Sequence, residues 1–151
     1  MDLIEQINSH DWFYLTYIGE PADNVLRLVI EEAVLDVPRD IKLGGLPLRQ
    51  ARRIVSTDEC LAYEIIFSTY IAYVVCNESF AAADASDIFT GRHFRVYEKS
   101  CFLDYIDKAT LASESYPGPY RHFEIVCLNH VVDVASVDEP SIRVLQRDAE
   151  G

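Results

Sequence analysis

Long apolar runs are missing from this 151-residue chain. No stretch approaches the ~18–20 residues that a membrane-spanning helix needs. The richest window, Cys60 to Cys76, is interrupted by Glu64, Ser68 and Thr69. The N-terminus, Met1-Asp2-Leu3-Ile4-Glu5, has no positively charged region leading into an apolar one, so it does not fit a secretory signal. Neither membrane association nor export is expected, and a cytoplasmic protein is.

Other signatures are missing as well. Cys60, Cys76, Cys101 and Cys127 lie 16, 25 and 26 residues apart. No C-x-x-C occurs, which leaves neither a zinc ribbon nor a thioredoxin-like pair. Each cysteine has apolar neighbours, as in Val74-Val75-Cys76 and Ile125-Val126-Cys127, and reduced core thiols follow from that. Two disulfides in a secreted protein are the alternative. Gly44-Gly45 has the spacing of neither common phosphate-binding loop, and no G-x-S-x-G of an α/β-hydrolase is present. Neither a cofactor nor a metal is expected.

Basic residues are the scarce charge, 13 Lys and Arg against 25 Asp and Glu, for a net −12. That balance argues against nucleic acid as a direct ligand, because phosphates would be repelled. It favours a basic protein partner, whose encounter an acidic surface accelerates. The bases are unevenly placed. Arg39, Lys42, Arg49, Arg52 and Arg53 accompany only Asp40 in residues 39–53, whereas residues 1–38 hold eight acids and a single base, Arg27.

What is present is enough to fold. Half the residues are hydrophobic and 16 are Tyr or Phe, too apolar for a disordered chain. The length suits a single globular domain over 1–151. Leu3, Ile4 and Ile7 fit one face of a short N-terminal helix. Trp12 to Ile18 reads as a strand stopped by Gly19-Glu20-Pro21, and Val25 to Val34 as a second, with Leu26, Leu28 and Ile30 on one side. Pro38 to Gln50 reads as a long loop or lid. Leu61 to Val75 alternates too long for one strand and predicts a bent strand, or two meeting near Ser68-Thr69. Ser100 can cap a helix over about 100–110, whose apolar positions Phe102, Leu103, Tyr105, Ile106 and Ala109 fall at helical spacing. Strands at Arg92–Glu98, Tyr120–Ala135 and Ser141–Leu145 complete an α+β pattern, mainly antiparallel sheet. The tail from Gln146 is expected to fray.

The clearest chemical pair is His122 and Glu124. Two residues apart on a strand, they share a face and could act as acid and base on an anionic substrate. The segment 39–53 would then close over the site with Arg49, Arg52 or Arg53. The pair resembles the H-x-E of zinc deaminases, but no P-C-x-x-C follows. His130 joins His122 only if the chain bends near Leu128-Asn129, and the flanking valines predict that the strand continues. Cys127 and His130 point to opposite faces and cannot pair.

Aromatic residues bordered by acids suit a face for a basic protein. Trp12 with Asp11, Glu20 and Asp23 forms one such group, and Tyr116 with Tyr120 another. Asp84, Asp87, Asp104 and Asp107 extend the acidic surface. Tyr63, Tyr73 and Tyr105 are expected in the core. A homo-oligomer that buries the aromatic clusters is a further possibility.

The segments Phe94-Arg95-Val96-Tyr97-Glu98-Lys99-Ser100-Cys101-Phe102-Leu103-Asp104-Tyr105-Ile106 and Tyr120-Arg121-His122-Phe123-Glu124-Ile125-Val126-Cys127-Leu128-Asn129-His130-Val131-Val132-Asp133-Val134 are similar to stretches of small uncharacterised bacterial proteins. Some of those proteins resemble immunity proteins of polymorphic toxin systems. The resemblance covers about 30 residues and carries no catalytic motif. It implies a bacterial cytoplasmic protein that inhibits a toxin by covering its active site.

Overall fold

The computed structural model describes residues 1–146. The chain opens with helix α1 (Leu3–Ser9), followed by strands β1 (Trp12–Ala22) and β2 (Val25–Leu35). Then come β3 (Arg39–Leu43), β4 (Leu46–Ala51), β5 (Ile54–Val55), β6 (Ala62–Phe67) and β7 (Tyr70–Asn77). After a short 3-10 turn, β8 (Ile88–Thr90) and β9 (Phe94–Lys99) lead into helix α2 (Cys101–Ala109). The chain continues with β10 (Arg121–Val126), β11 (His130–Ser136) and β12 (Ser141–Leu145). The architecture is α+β, with antiparallel strand pairing throughout its sheets.

One sheet runs β1-β2-β6-β12, with β5 paired to β2, and the other runs β7-β11-β10-β9-β8. Alternation explains why they face each other. Leu26, Leu28, Ile30, Tyr63, Ile65 and Phe67 project from the first sheet, and Phe94, Phe123, Ile125, Val132 and Val134 from the second, into one shared core. Burial of each such side chain contributes about 1.5–3 kcal/mol. The long alternating run breaks at Ser68-Thr69, and its two halves enter different sheets. Because 123 and 125 point inward on β10, 122, 124 and 126 must point outward. That parity creates the site described below.

Two asparagines tie the ends of the sandwich. Asn8 at the end of α1 accepts from the backbone N–H groups of Arg92, His93 and Phe94 at 3.0, 2.8 and 2.9 Å. Asn129 both accepts from Leu15 N–H and donates to Leu15 C=O, each at 2.9 Å. Gly91, at φ +98°, leaves no room for a side chain, since a Cβ there would sit 2.0 Å from the Phe94 carbonyl oxygen. On the outer face of the first sheet Glu64 is buried between Arg27 Nε at 2.7 Å and Arg143 Nε at 2.5 Å. Those guanidinium groups hold its carboxyl below the usual range.

Several expectations need correction. β1 does not stop at Gly19-Glu20-Pro21 but continues to Ala22, with the turn at Asp23-Asn24. Residues 38–50 are not an irregular lid, for β3 and β4 form a hairpin turned by Gly44 and Gly45 at φ +58° and +83°. The run from Tyr120 to Ala135 folds back between β10 and β11. Tyr105 is exposed although the core was expected, whereas Phe13, beside Trp12, is buried. Tyr63 is buried as read, its hydroxyl 2.8 Å from His10 Nε2. The frayed-tail expectation falls largely on residues 147–151, outside the described residues. Among the described residues, no helix is long and apolar enough to cross a membrane.

Candidate functional site

The outward face of the second sheet carries polar side chains on adjacent strands. Glu124 pairs in register with Asp133 on one side and with Arg95 on the other, while His122 lies opposite Tyr97. Helix α2 covers part of this face, burying Ile106. The segment from Glu78 to Asp87 walls the rest, leaving a recess of about 610 Å³.

His122 is the best-partnered group in the recess. Its Nε2 lies 2.6 Å from Asp133 Oδ1 and its Nδ1 2.8 Å from Ser100 Oγ. A carboxylate only accepts, so Nε2 carries a proton and donates it to Asp133. Ser100 Oγ in turn accepts from Leu103 N–H at 3.0 Å, which caps α2. The Tyr97 ring stacks on the imidazole at 4.2 Å and Phe102 lies 4.7 Å from it. One histidine therefore ties the helix cap to two strands.

Ser100, His122 and Asp133 have the composition of a nucleophilic triad and also brace the fold. Ser100 and His122 are both buried, and the hydroxyl also accepts the N–H that caps the helix. The neighbouring Cys101 is exposed, but Asp84, followed by desolvation and further by Asp87 and Asp104, pushes its thiol up. It is therefore a poor nucleophile at neutral pH.

Glu124 is the group whose protonation the site controls. Arg95 Nη1 donates to its Oε1 at 3.1 Å and Tyr97 Oη donates to the same atom at 2.9 Å. Burial and the hydrogen-bonded, like-charged Asp133 outweigh those donors and raise the Glu124 carboxyl to about 7. Burial, with Glu124 adding to it, pushes the Tyr97 phenol up to about 12, so it stays a donor. Near neutral pH the Glu124 carboxyl therefore readily gains or loses its proton in the recess.

Among the described residues, two sets of side chains have ligand atoms within 4.8 Å of one another, His122/Glu124/Asp133 and Asp84/Asp87/Cys101. In the first, both imidazole nitrogens are engaged, so a metal ion would have to displace the His122–Asp133 hydrogen bond. In the second, Asp84 accepts from Ser86 N–H and Oγ at 2.7 and 2.6 Å and from Cys101 Sγ. Those Ser86 bonds hold its carboxyl below the ordinary range.

The residues singled out in the sequence divide into groups. His122 and Glu124 do share a face, in a concave setting, with Asp84 and Asp87 at its rim. Asp104 adds its field at Cys101. Burial raises the Tyr120 hydroxyl, and Asp107 adds to it. Asp11 and Trp12 line a smaller hollow of about 210 Å³ that shares Glu78 with the recess. Glu20 accepts from the Tyr70 hydroxyl, Asp23 sits exposed in the β1–β2 turn, and Tyr116 is exposed. Arg49, Arg52 and Arg53 do not line the recess. His130 does not join His122, since five positions of β11 separate it from Ala135, the partner of His122, and odd spacing turns it to the other face. Cys60 and Cys127 are the buried free thiols expected, Cys127 raised to about 12 by burial, whereas Cys76 is half-buried and Cys101 exposed. Asp133, Arg95, Tyr97 and Ser100 were missed as site residues because they reach Glu124 and His122 only through strand pairing and helix capping.

No family model, curated protein or solved structure matches the chain.

Proposed function

We propose that this chain is an immunity- or inhibitor-type binding protein that neutralises a basic toxin or effector in the bacterial cytoplasm by covering its active site. The recess on β9–β11 is the seat for a cationic side chain of that partner. The observation that supports this most is the charge of the recess: Glu78, Asp84, Asp87, Glu124 and Asp133 line it, against Arg95 and the imidazole of His122. Apolar groups at the same mouth, Phe80 and Val74, are 80% and 44% exposed. A buried charge surrounded by apolar contact is the usual anatomy of an interface anchor. A partner's Lys or Arg would take the place of the proton on Glu124.

The test is co-expression of the chain with the product of the adjacent gene, comparing wild type with Asp84→Lys/Asp87→Lys. Growth protected by the wild type and lost in the variant is the expected outcome. A partner held equally by both proteins would overturn the role of the recess.

A second reading, a small enzyme with Glu124 and His122 as acid and base, is favoured by the Glu124 carboxyl standing near 7 in a concave site. Its anionic-substrate form lacks support from the basic segment, which lies elsewhere. A turnover assay on the purified chain separates the readings: an enzyme turns over substrate and loses that in Glu124→Gln, whereas a binding protein shows no turnover in either form.

A further inference from the structure

The β3–β4 hairpin calls for burial that the rest of the fold does not supply. Its register sets Ile41 opposite Leu48 and Leu43 opposite Leu46, so four aliphatic side chains share one face. Lys42, opposite Pro47, lies on the other face, as does Arg49. Leu43, Leu46 and Leu48 are 66%, 70% and 43% exposed. The two strands pair with each other and belong to neither large sheet. The glycines at the tip have nothing within reach of an added Cβ. A two-stranded ribbon standing alone is marginal in water, and a clustered aliphatic face of this kind marks an interaction surface.

Charge decides what covers it. The segment 39–53 has five bases and one acid in a chain that is otherwise acidic. A basic partner repels it, and so does the same hairpin of another molecule. The recess mouth offers the complement, with Asp84 and Asp87 beside exposed Phe80 and Val74.

We propose that the hairpin docks on the recess face of a second copy of this chain, its leucines against Phe80 and Val74 and its bases against Asp84 and Asp87. The long stems of Lys42 and Arg49 carry their charges over the edge of the narrow ribbon. A two-fold pair uses both hairpins and both recesses and closes on itself. The inference rests on reading the recess as a cation seat, and it makes the second copy a competitor of the basic partner. The hairpin then shields the recess until the partner arrives.

Light scattering across a concentration series at low salt tests it. The wild type is expected to reach twice the 17.2 kDa chain mass. Leu43→Ser/Leu46→Ser, Lys42→Glu/Arg49→Glu and Asp84→Lys/Asp87→Lys each change exposed residues, and each weakens dimerisation by at least about tenfold. Combining the two charge reversals in one chain restores it. A wild type monomeric at every concentration overturns the inference, as does a dimer indifferent to either charge reversal. Binding of the monomer to phosphatidylserine vesicles, lost in Leu43→Ser/Leu46→Ser, assigns the hairpin to a lipid surface and overturns it too. Leu43→Ser/Leu46→Ser leaves the recess intact, so its binding of an arginine-rich peptide shows separately whether the cation seat stands.

Discussion

Glu124 and Asp133 face each other across the β10–β11 hairpin, and burial together with the neighbouring Asp133 carboxylate raises the Glu124 carboxyl. Asp133 is hydrogen-bonded through His122 and Ser100 to the cap of α2. Helix position, strand pairing and recess charge are therefore linked through a few side chains.

Stability should fall as pH rises through the window this pair defines. The Glu124 carboxyl stands at about 7 in the folded chain against an ordinary 4.5. Between those values the folded state binds more protons than the unfolded one, so raising the pH weakens folding until about 7, where this contribution levels off. Glu124→Gln removes the dependence and gains roughly 2–3 kcal/mol above pH 7. Urea unfolding of both proteins at several pH values measures it. A wild-type stability that rises over the same window contradicts the assignment.

The same proton competes with any cation entering the recess. Affinity for an arginine-rich peptide is expected to drop severalfold from pH 8 to pH 6, and to lose that dependence in Glu124→Gln. Calorimetric titration in buffers of different ionisation heat detects the released proton directly.

His122 holds more of the fold than its single ring suggests. His122→Ala opens a cavity beneath α2 and removes the imidazole to which Asp133 and Ser100 are hydrogen-bonded, at about 2–4 kcal/mol. Ser100→Ala removes the cap and the same hydrogen bond, at about 1–2 kcal/mol. The double variant should cost less than the sum, because both substitutions break one network. Thermal unfolding of the three proteins decides it.

Glu64 supplies an opposite pH signature. Its carboxyl is held below the ordinary range by hydrogen bonds to Arg143 and Arg27, so its contribution is present above pH 4.5 and is lost as the pH falls through the lower folded value. Glu64→Ala is expected to cost about 1.5–3 kcal/mol at neutral pH. It should also remove part of the acid sensitivity seen in a pH-resolved unfolding series.

Much of the sandwich was legible because alternation needs no tertiary information. Leu26, Leu28 and Ile30 lie inward as read, and Ser100 caps the helix that its neighbours predicted. Pro21 was read as a stop, yet β1 is an edge strand, where a missing N–H need not cost a ladder bond. Gly44-Gly45 suggested a loop because glycine weakens strands, but two residues at positive φ make the tight turn of a hairpin. Tyr105 fitted the apolar helical pattern, whereas the helix turns Ile106 inward and Tyr105 out. The His122–Glu124 pair was visible as a local two-residue spacing. Asp133 and Arg95 were not, since their approach depends on where the chain folds back and how the strands register. The recess itself needed the long-range placement of α2 and of residues 78–87.

The most direct test of the cation seat is fluorescence anisotropy with a labelled arginine-rich peptide and three proteins. These are the wild type, Asp84→Lys/Asp87→Lys at the recess, and Asp23→Lys/Glu59→Lys, which changes net charge equally at exposed positions that do not line it. The expected result is a dissociation constant raised at least about tenfold by the recess pair and no more than about twofold by the other. Equal weakening by both pairs would mean that the peptide senses only overall charge, and would contradict the central claim.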